Sequence, residues 1–210
     1  MTKGGIALTS SATAPKRGIK WTPANIVTTI RIVFIPLWLL VAELVTVQGT
    51  SEVSIGGIVV FAFYALLSLT DKVDGYLARS RGEVTVFGKF IDPIADKLLV
   101  VTGMVWLLTY DVVPVWAIVL VVAREFLVSG LRMIVASSGT VIAAGTLGKW
   151  KTATTMLSLC GYMLVLALPV SSVVATIKFG LDLVFYLAMI LTAWSGIDYF
   201  IKSKDYLAEE

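Results

Sequence analysis

Apolar residues in this chain gather into six long runs, each close to the roughly 20 residues that a helix needs to cross a bilayer. The first runs from about Asn25 to Val47, with Thr22 placed as N-cap and Pro23 at the first helical position. The second starts near Val53 and continues to about Ala78, and a polar connection from Ser80 to Val86 leads to the third, about Phe87 to Tyr110. Asp111 to Pro114 reads as a tight turn into the fourth, which ends near Val135. A small-residue connector, Ala136 to Leu147, precedes the fifth run, about Gly148 to Leu168, which Pro169 breaks. The sixth covers about Thr176 to Phe200. The pattern predicts an all-α integral membrane bundle of six transmembrane helices, with Trp21 at the interface where indole rings settle.

Composition agrees: 58% of the 210 residues are hydrophobic and the mean hydropathy is +0.91, beyond the range of ordinary soluble domains. Residues 1–20 are polar and basic, lack the apolar core of a signal peptide, and read as a disordered cytoplasmic tail. Residues 21–201 form the membrane domain and 202–210 a short charged tail. The turns at 47–53, 110–114 and 169–175 hold no Lys or Arg, whereas both tails and the other two loops hold nearly all of them, Lys178 excepted. The positive-inside rule then puts both termini in the cytoplasm, and an even number of spans satisfies it. The net charge of +3 hides a strongly basic face that would attract anionic headgroups and substrates. Basic residues spread among membrane-flanking loops argue against nucleic acid as a partner. Cys160 stands alone, so no intrachain disulfide forms, and the absence of histidine excludes Ser-His-Asp, Cys-His and His-ligated zinc chemistry.

Against this apolar background stands DKVDGYLARSRGEVTVFGKFIDPIAD, with the spacing D-x2-D-G-x2-A-R-x8-G-x3-D-x3-D from Asp71 to Asp96. Asp71 and Asp74 share one helical face, as do Asp92 and Asp96. Carboxylates at such depth are costly unless paired or bound to cations. Four facing one another would hold hard divalent ions through oxygen, as magnesium sites that handle phosphates do. Two ions among four aspartates balance the formal charge and could clamp a diphosphate. Gly75 and Ala78 leave room for a ligand near the helix, and Arg79 can offer its fork of donors to a phosphate. Gly88 is expected to let the second and third helices meet closely.

A second set of charges lies outside the run. Arg124 is mid-way through the fourth span, Arg132 two turns later, and Lys149 and Lys151 begin the fifth. An arginine as deep as Arg124 requires an anion, and Glu125 beside it is expected to point to a different face. These four cations read as a pocket for a second phosphate, so the acceptor should be a phosphorylated alcohol.

The aspartate run resembles the signature of the CDP-alcohol phosphotransferase family at every defined position. NIVTTIRIVFIP at 25–36, VAREFLVSGLR at 122–132 and GKWKT at 148–152 resemble its phosphatidylglycerophosphate synthase branch. The resemblance implies Asp71, Asp74, Asp92 and Asp96 as ligands of two Mg2+ or Mn2+ ions, with Asp96 also the general base toward the acceptor. It implies contacts of Asn25, Thr28 and Arg31 with CDP-diacylglycerol, to which Asp71, Asp74, Gly75, Ala78, Arg79 and the weaker candidate Thr85 are added. It further implies a homodimer. The reaction so implied converts CDP-diacylglycerol and glycerol 3-phosphate into phosphatidylglycerol phosphate and CMP, on the cytoplasmic side of the cell membrane. Inositol phosphate or phosphatidylglycerol as acceptor is the nearest alternative. A divalent-metal transporter is the alternative of another class, with Glu43 and Asp182 as the only continuations of an acidic path.

Overall fold

The structure, a computed structural model, describes residues 21–48, 51–80, 85–137 and 146–206. The expected N-terminal tail and most of the connector from Ala136 to Leu147 lie outside these residues. Six helices follow in order: α1 Pro23–Leu44, α2 Ile55–Ser80, α3 Val86–Leu108, α4 Val115–Ser137, α5 Thr146–Ala167 and α6 Ser172–Ser203. A 3-10 turn, Lys204–Tyr206, continues from α6 into the stretch expected to be a charged tail. Among the described residues there is no strand.

The helix ends follow local chemistry. Thr22 caps α1 by accepting from the Asn25 N–H at 3.3 Å, with Pro23 inside the first turn. The α3–α4 turn closes through Asp111, whose φ of 55° is one that Asp tolerates better than most residues. Its N–H returns to the Leu108 carbonyl at 3.0 Å. α6 begins before the expected Thr176 because the Ser171 hydroxyl accepts from the Val174 N–H and nucleates an earlier turn.

α1 packs on α2 and α3, α2 also on α5, and α6 on both α4 and α5, while α3 touches α4 and α5 more lightly. An aromatic core fixes the first three helices: Trp38 lies 5.0 Å from the Tyr64 ring and 5.6 Å from the Trp106 ring. Its indole N–H donates to the Val60 carbonyl at 3.0 Å, and Tyr64 donates to the Leu99 carbonyl at 3.1 Å, so these two rings are buried with their polar tips satisfied, whereas the buried Trp106 indole N–H finds no partner among the described residues. Gly103 makes room for this, since a Cβ there would stand 2.5 Å from the Tyr64 hydroxyl. One end of the bundle collects the starts of α1, α3 and α5 and the ends of α2, α4 and α6, with Trp21 against Phe87 at 5.8 Å. At the far end the Ser54 N–H donates to the Ala167 carbonyl at 2.8 Å, and Gly57 faces Ala167 with no space for a side chain.

The outer surface is apolar. Leu40, Leu66, Phe90, Phe126, Leu157 and Ile190, one from each helix, are all more than half exposed. Contiguous apolar faces of this kind call for an apolar surrounding. α1 and α6 are long and apolar enough to cross a membrane.

Candidate active site

The acidic motif is split between two helices, Asp71 to Ser80 on α2 and Asp92 to Asp96 on α3, and α1 lies against both. Arg31 of α1, two helical turns before Trp38, is wholly buried. Its Nη1 donates to Asp96 Oδ1 at 2.8 Å and to Asp71 Oδ1 at 3.3 Å, and its Nε to the Thr70 hydroxyl at 2.9 Å. One nitrogen thus touches a carboxylate from each half of the motif, so the two halves face one another. One turn earlier on α1, the Thr28 hydroxyl donates to Asp92 Oδ1 at 2.9 Å. The side chains of Asp71 and Asp96 remain 46% and 42% exposed, open for a ligand to reach.

Asn25 and Thr85 meet one turn nearer the bundle end. Asn25 Nδ2 donates to Thr85 Oγ1 at 2.9 Å, and the same oxygen caps α3 by accepting from the Gly88 N–H at 2.9 Å. Gly88 therefore serves α1 and α3 rather than the expected contact between α2 and α3: a Cβ there would stand 2.6 Å from Asn25 Oδ1. Gly75 lies on α2, while the side chains of Asp74, Ala78 and Arg79 lie outside the described part of the structure.

Hard oxygen donors on two facing helices suit a divalent ion. Among the described residues no three acidic or thiol groups form a closed ligand set. Arg31 bridges Oδ1 of Asp71 and Oδ1 of Asp96, and Asp92 is turned toward Thr28.

The second cluster differs in part from its expected form. Glu125 does not point away from Arg124: its Oε1 accepts from Arg124 Nη1 at 2.9 Å and from Lys151 Nζ at 2.6 Å. Lys97 of α3 stands 3.9 Å from Glu125 Oε2 and donates to the Ser129 hydroxyl at 2.6 Å. Arg124 Nε also donates to the Ser195 hydroxyl of α6 at 3.1 Å. Arg124 and Lys151 are thus brought together, whereas Arg132 is exposed with its guanidinium 5.4 Å from the Tyr199 ring, and Lys149 is exposed. Lys97 is the member of this cluster that the sequence reading does not name; its signal is a lysine directly after Asp96.

Of the two acidic residues that would continue a path across the membrane, Asp182 is held by its own neighbours. Asp182, near the far end, accepts from Lys178 at 3.0 Å and from the Tyr162 hydroxyl at 2.7 Å, which makes it one corner of a local polar knot.

Comparison with known proteins places the chain. The family model for CDP-alcohol phosphatidyltransferases matches residues 21–194. A Bacillus subtilis protein named CDP-diacylglycerol–glycerol-3-phosphate 3-phosphatidyltransferase is 37% identical over 188 residues, covering 87% of this chain and 95% of its own. A Mycobacterium tuberculosis protein named probable phosphatidylglycerophosphate synthase is 36% identical over 180 residues, covering 86% of this chain and 80% of its own. A Rickettsia bellii protein with the same name as the Bacillus one is 41% identical over 143 residues, covering 68% and 77%. With a family model spanning nearly all of the helical bundle and relatives of this identity, the chain belongs to the CDP-alcohol phosphatidyltransferase family.

Proposed function

We propose that this protein transfers the phosphatidyl group of CDP-diacylglycerol to glycerol 3-phosphate, giving phosphatidylglycerol phosphate and CMP. The observation that carries the reading is the convergence of Asp71 and Asp96 on buried Arg31 at an open end of the bundle, with a cationic cluster beginning at the next residue, Lys97. The names of the relatives supply the substrates. The bundle crosses the membrane six times with both termini and the acidic end in the cytoplasm. Apolar outer faces on all six helices support this reading, as does the skew of Lys and Arg toward that end.

Asp71, Asp74, Asp92 and Asp96 would hold two divalent ions, Mg2+ or Mn2+, which when bound would neutralise the diphosphate and the departing CMP. Asn25, Thr28, Gly75, Ala78, Arg79 and Thr85 surround the nucleotide-lipid. Arg31 contacts one oxygen of Asp71 and one of Asp96 and competes there with a divalent ion for these carboxylates. Lys151 and Arg124 grip the phosphate of the acceptor, while Arg132 and Lys149 add positive field along the approach. The acceptor hydroxyl attacks the phosphorus that bears diacylglycerol, its proton passes to Asp96, and the bond to CMP breaks. Positioning and charge stabilisation carry such a transfer, without a covalent nucleophile. The working unit is a homodimer.

Purified protein given CDP-diacylglycerol with glycerol 3-phosphate, inositol 3-phosphate, phosphatidylglycerol or serine in parallel tests this through CMP release. Release with glycerol 3-phosphate alone is the expected result. Preferential release with any other acceptor would overturn the assignment.

A further inference from the structure

The cluster at Glu125 has an imbalance that helix packing does not explain. Lys97, Arg124 and Lys151, from α3, α4 and α5, surround a single carboxylate. Glu125 with Lys97 and Lys151 alone would tie the three helices together, and Arg124, on the same helix as Glu125, adds a charge that this tie does not require. Among the described residues, three cations around one anion in a partly desolvated site leave two positive charges without a bonded carboxylate, a costly arrangement unless a further anion completes it. Side-chain exposure divides the three by role. Arg124 and Lys151 are 12% and 11% exposed and closely bonded to Glu125. Lys97 is 36% exposed and 3.9 Å from Glu125, with its one short bond, 2.6 Å, to the neutral Ser129 hydroxyl, which an incoming anion can replace.

Resting on the acceptor assignment above, we propose that Glu125 is a positioning residue that sets acceptor specificity. It gathers the three cations into one face and trims their charge to two. A phosphate monoester carries nearly two negative charges at neutral pH, so it completes the site, whereas a phosphodiester or an uncharged alcohol leaves it charged. Lys97 follows Asp96 on α3, so the two side chains leave the helix at neighbouring levels, Asp96 toward Arg31 of α1 and Lys97 toward Glu125 of α4.

The test compares wild type, Glu125→Gln, Glu125→Asp, Lys151→Met and the double variant Glu125→Gln/Lys151→Met in detergent micelles. CMP release is followed with glycerol 3-phosphate and CDP-diacylglycerol varied in turn. Glu125→Gln should raise the KM for glycerol 3-phosphate about tenfold, lower kcat, and leave the KM for CDP-diacylglycerol within about twofold. Glu125→Asp should recover part of the loss. Because Glu125 acts through the cations, the double variant should be no worse than Lys151→Met by more than about twofold. Should Glu125→Gln fail to accumulate, Glu125→Asp carries the same test, with a raised acceptor KM and an unchanged donor KM expected. Equal losses toward both substrates, additive losses in the double variant, or no effect of Glu125→Gln would each overturn the proposal. A normal acceptor KM in Lys151→Met would instead remove the acceptor site itself, an outcome read from a separate variant.

Discussion

Replacing Arg31 by Met removes a charge from the centre of the acidic site while keeping most of the side-chain volume. The guanidinium makes one short charge-assisted hydrogen bond to Asp96 at 2.8 Å, a longer one to Asp71 at 3.3 Å, and a bond to Thr70. In a fully buried site these would be worth several kcal/mol, since a hydrogen bond to a charged group contributes about 1.5–3 kcal/mol. Here the two carboxylates are 42% and 46% exposed, so water screens both and can hydrate them once the arginine is gone. The loss should therefore be about 2 kcal/mol rather than the ~3–5 kcal/mol of a broken buried pair. The variant also frees its carboxylates from competition with the guanidinium, so added Mg2+ should bind it more readily and repay much of that deficit through mass action. Thermal unfolding in detergent micelles, with and without Mg2+, measures both effects. A deficit of the same size at zero and saturating Mg2+ would refute the idea that Arg31 and the metal share one position.

Chelation with EDTA should abolish CMP release and Mg2+ or Mn2+ should restore it; full activity in excess chelator would remove the metal from the mechanism. Gly88→Ala sets two effects against each other. The new Cβ displaces Asn25 from Thr85, losing about 0.5–1.5 kcal/mol, while alanine's helix preference returns up to about 1 kcal/mol. Stability should then hardly move while the KM for CDP-diacylglycerol rises, and an unchanged KM would exclude Asn25 from that substrate's site. Arg124→Ala should raise the KM for glycerol 3-phosphate roughly ten- to a hundredfold, and Arg132→Ala by much less, because Arg132 lies over Tyr199 instead of with Lys151. Similar effects from the two, read from acceptor titrations, would contradict this placement.

Much of this architecture was legible in the sequence because its determinants are local. Apolar runs, the Thr22–Pro23 cap and the Asp111 turn locate helices from neighbouring residues alone. The aspartate spacing was legible for the same reason, since residues three and four apart on a helix share a face. Relations between helices were less so. Nothing near Gly88 says that Asn25, 63 positions earlier, fills the space its missing side chain leaves. Adjacent residues on a helix ordinarily diverge, so Glu125 was expected to face away from Arg124; long, flexible side chains bring the two charges to 2.9 Å all the same. Ser171 shows the remaining gap: a hydroxyl before a weakly apolar stretch starts α6 a turn earlier than hydropathy suggests.

The seam at Gly57 and Ala167 bears on how the chain assembles. Its partners, α2 and α5, are separated by two intervening helices, and no side chain at Gly57 could substitute for the missing neighbour. Synthesis delivers α1, α2 and α3 first, and their contacts, including the grip of Arg31 on Asp71 and Asp96, need nothing made later. The α1–α3 part can therefore settle while the ribosome is still producing α4, whereas the side of Gly57 that faces Ala167 waits for α5. Closure of the far end, which joins Ser54 to Ala167, is a late event, and Lys151 likewise reaches Glu125 only once α5 is made.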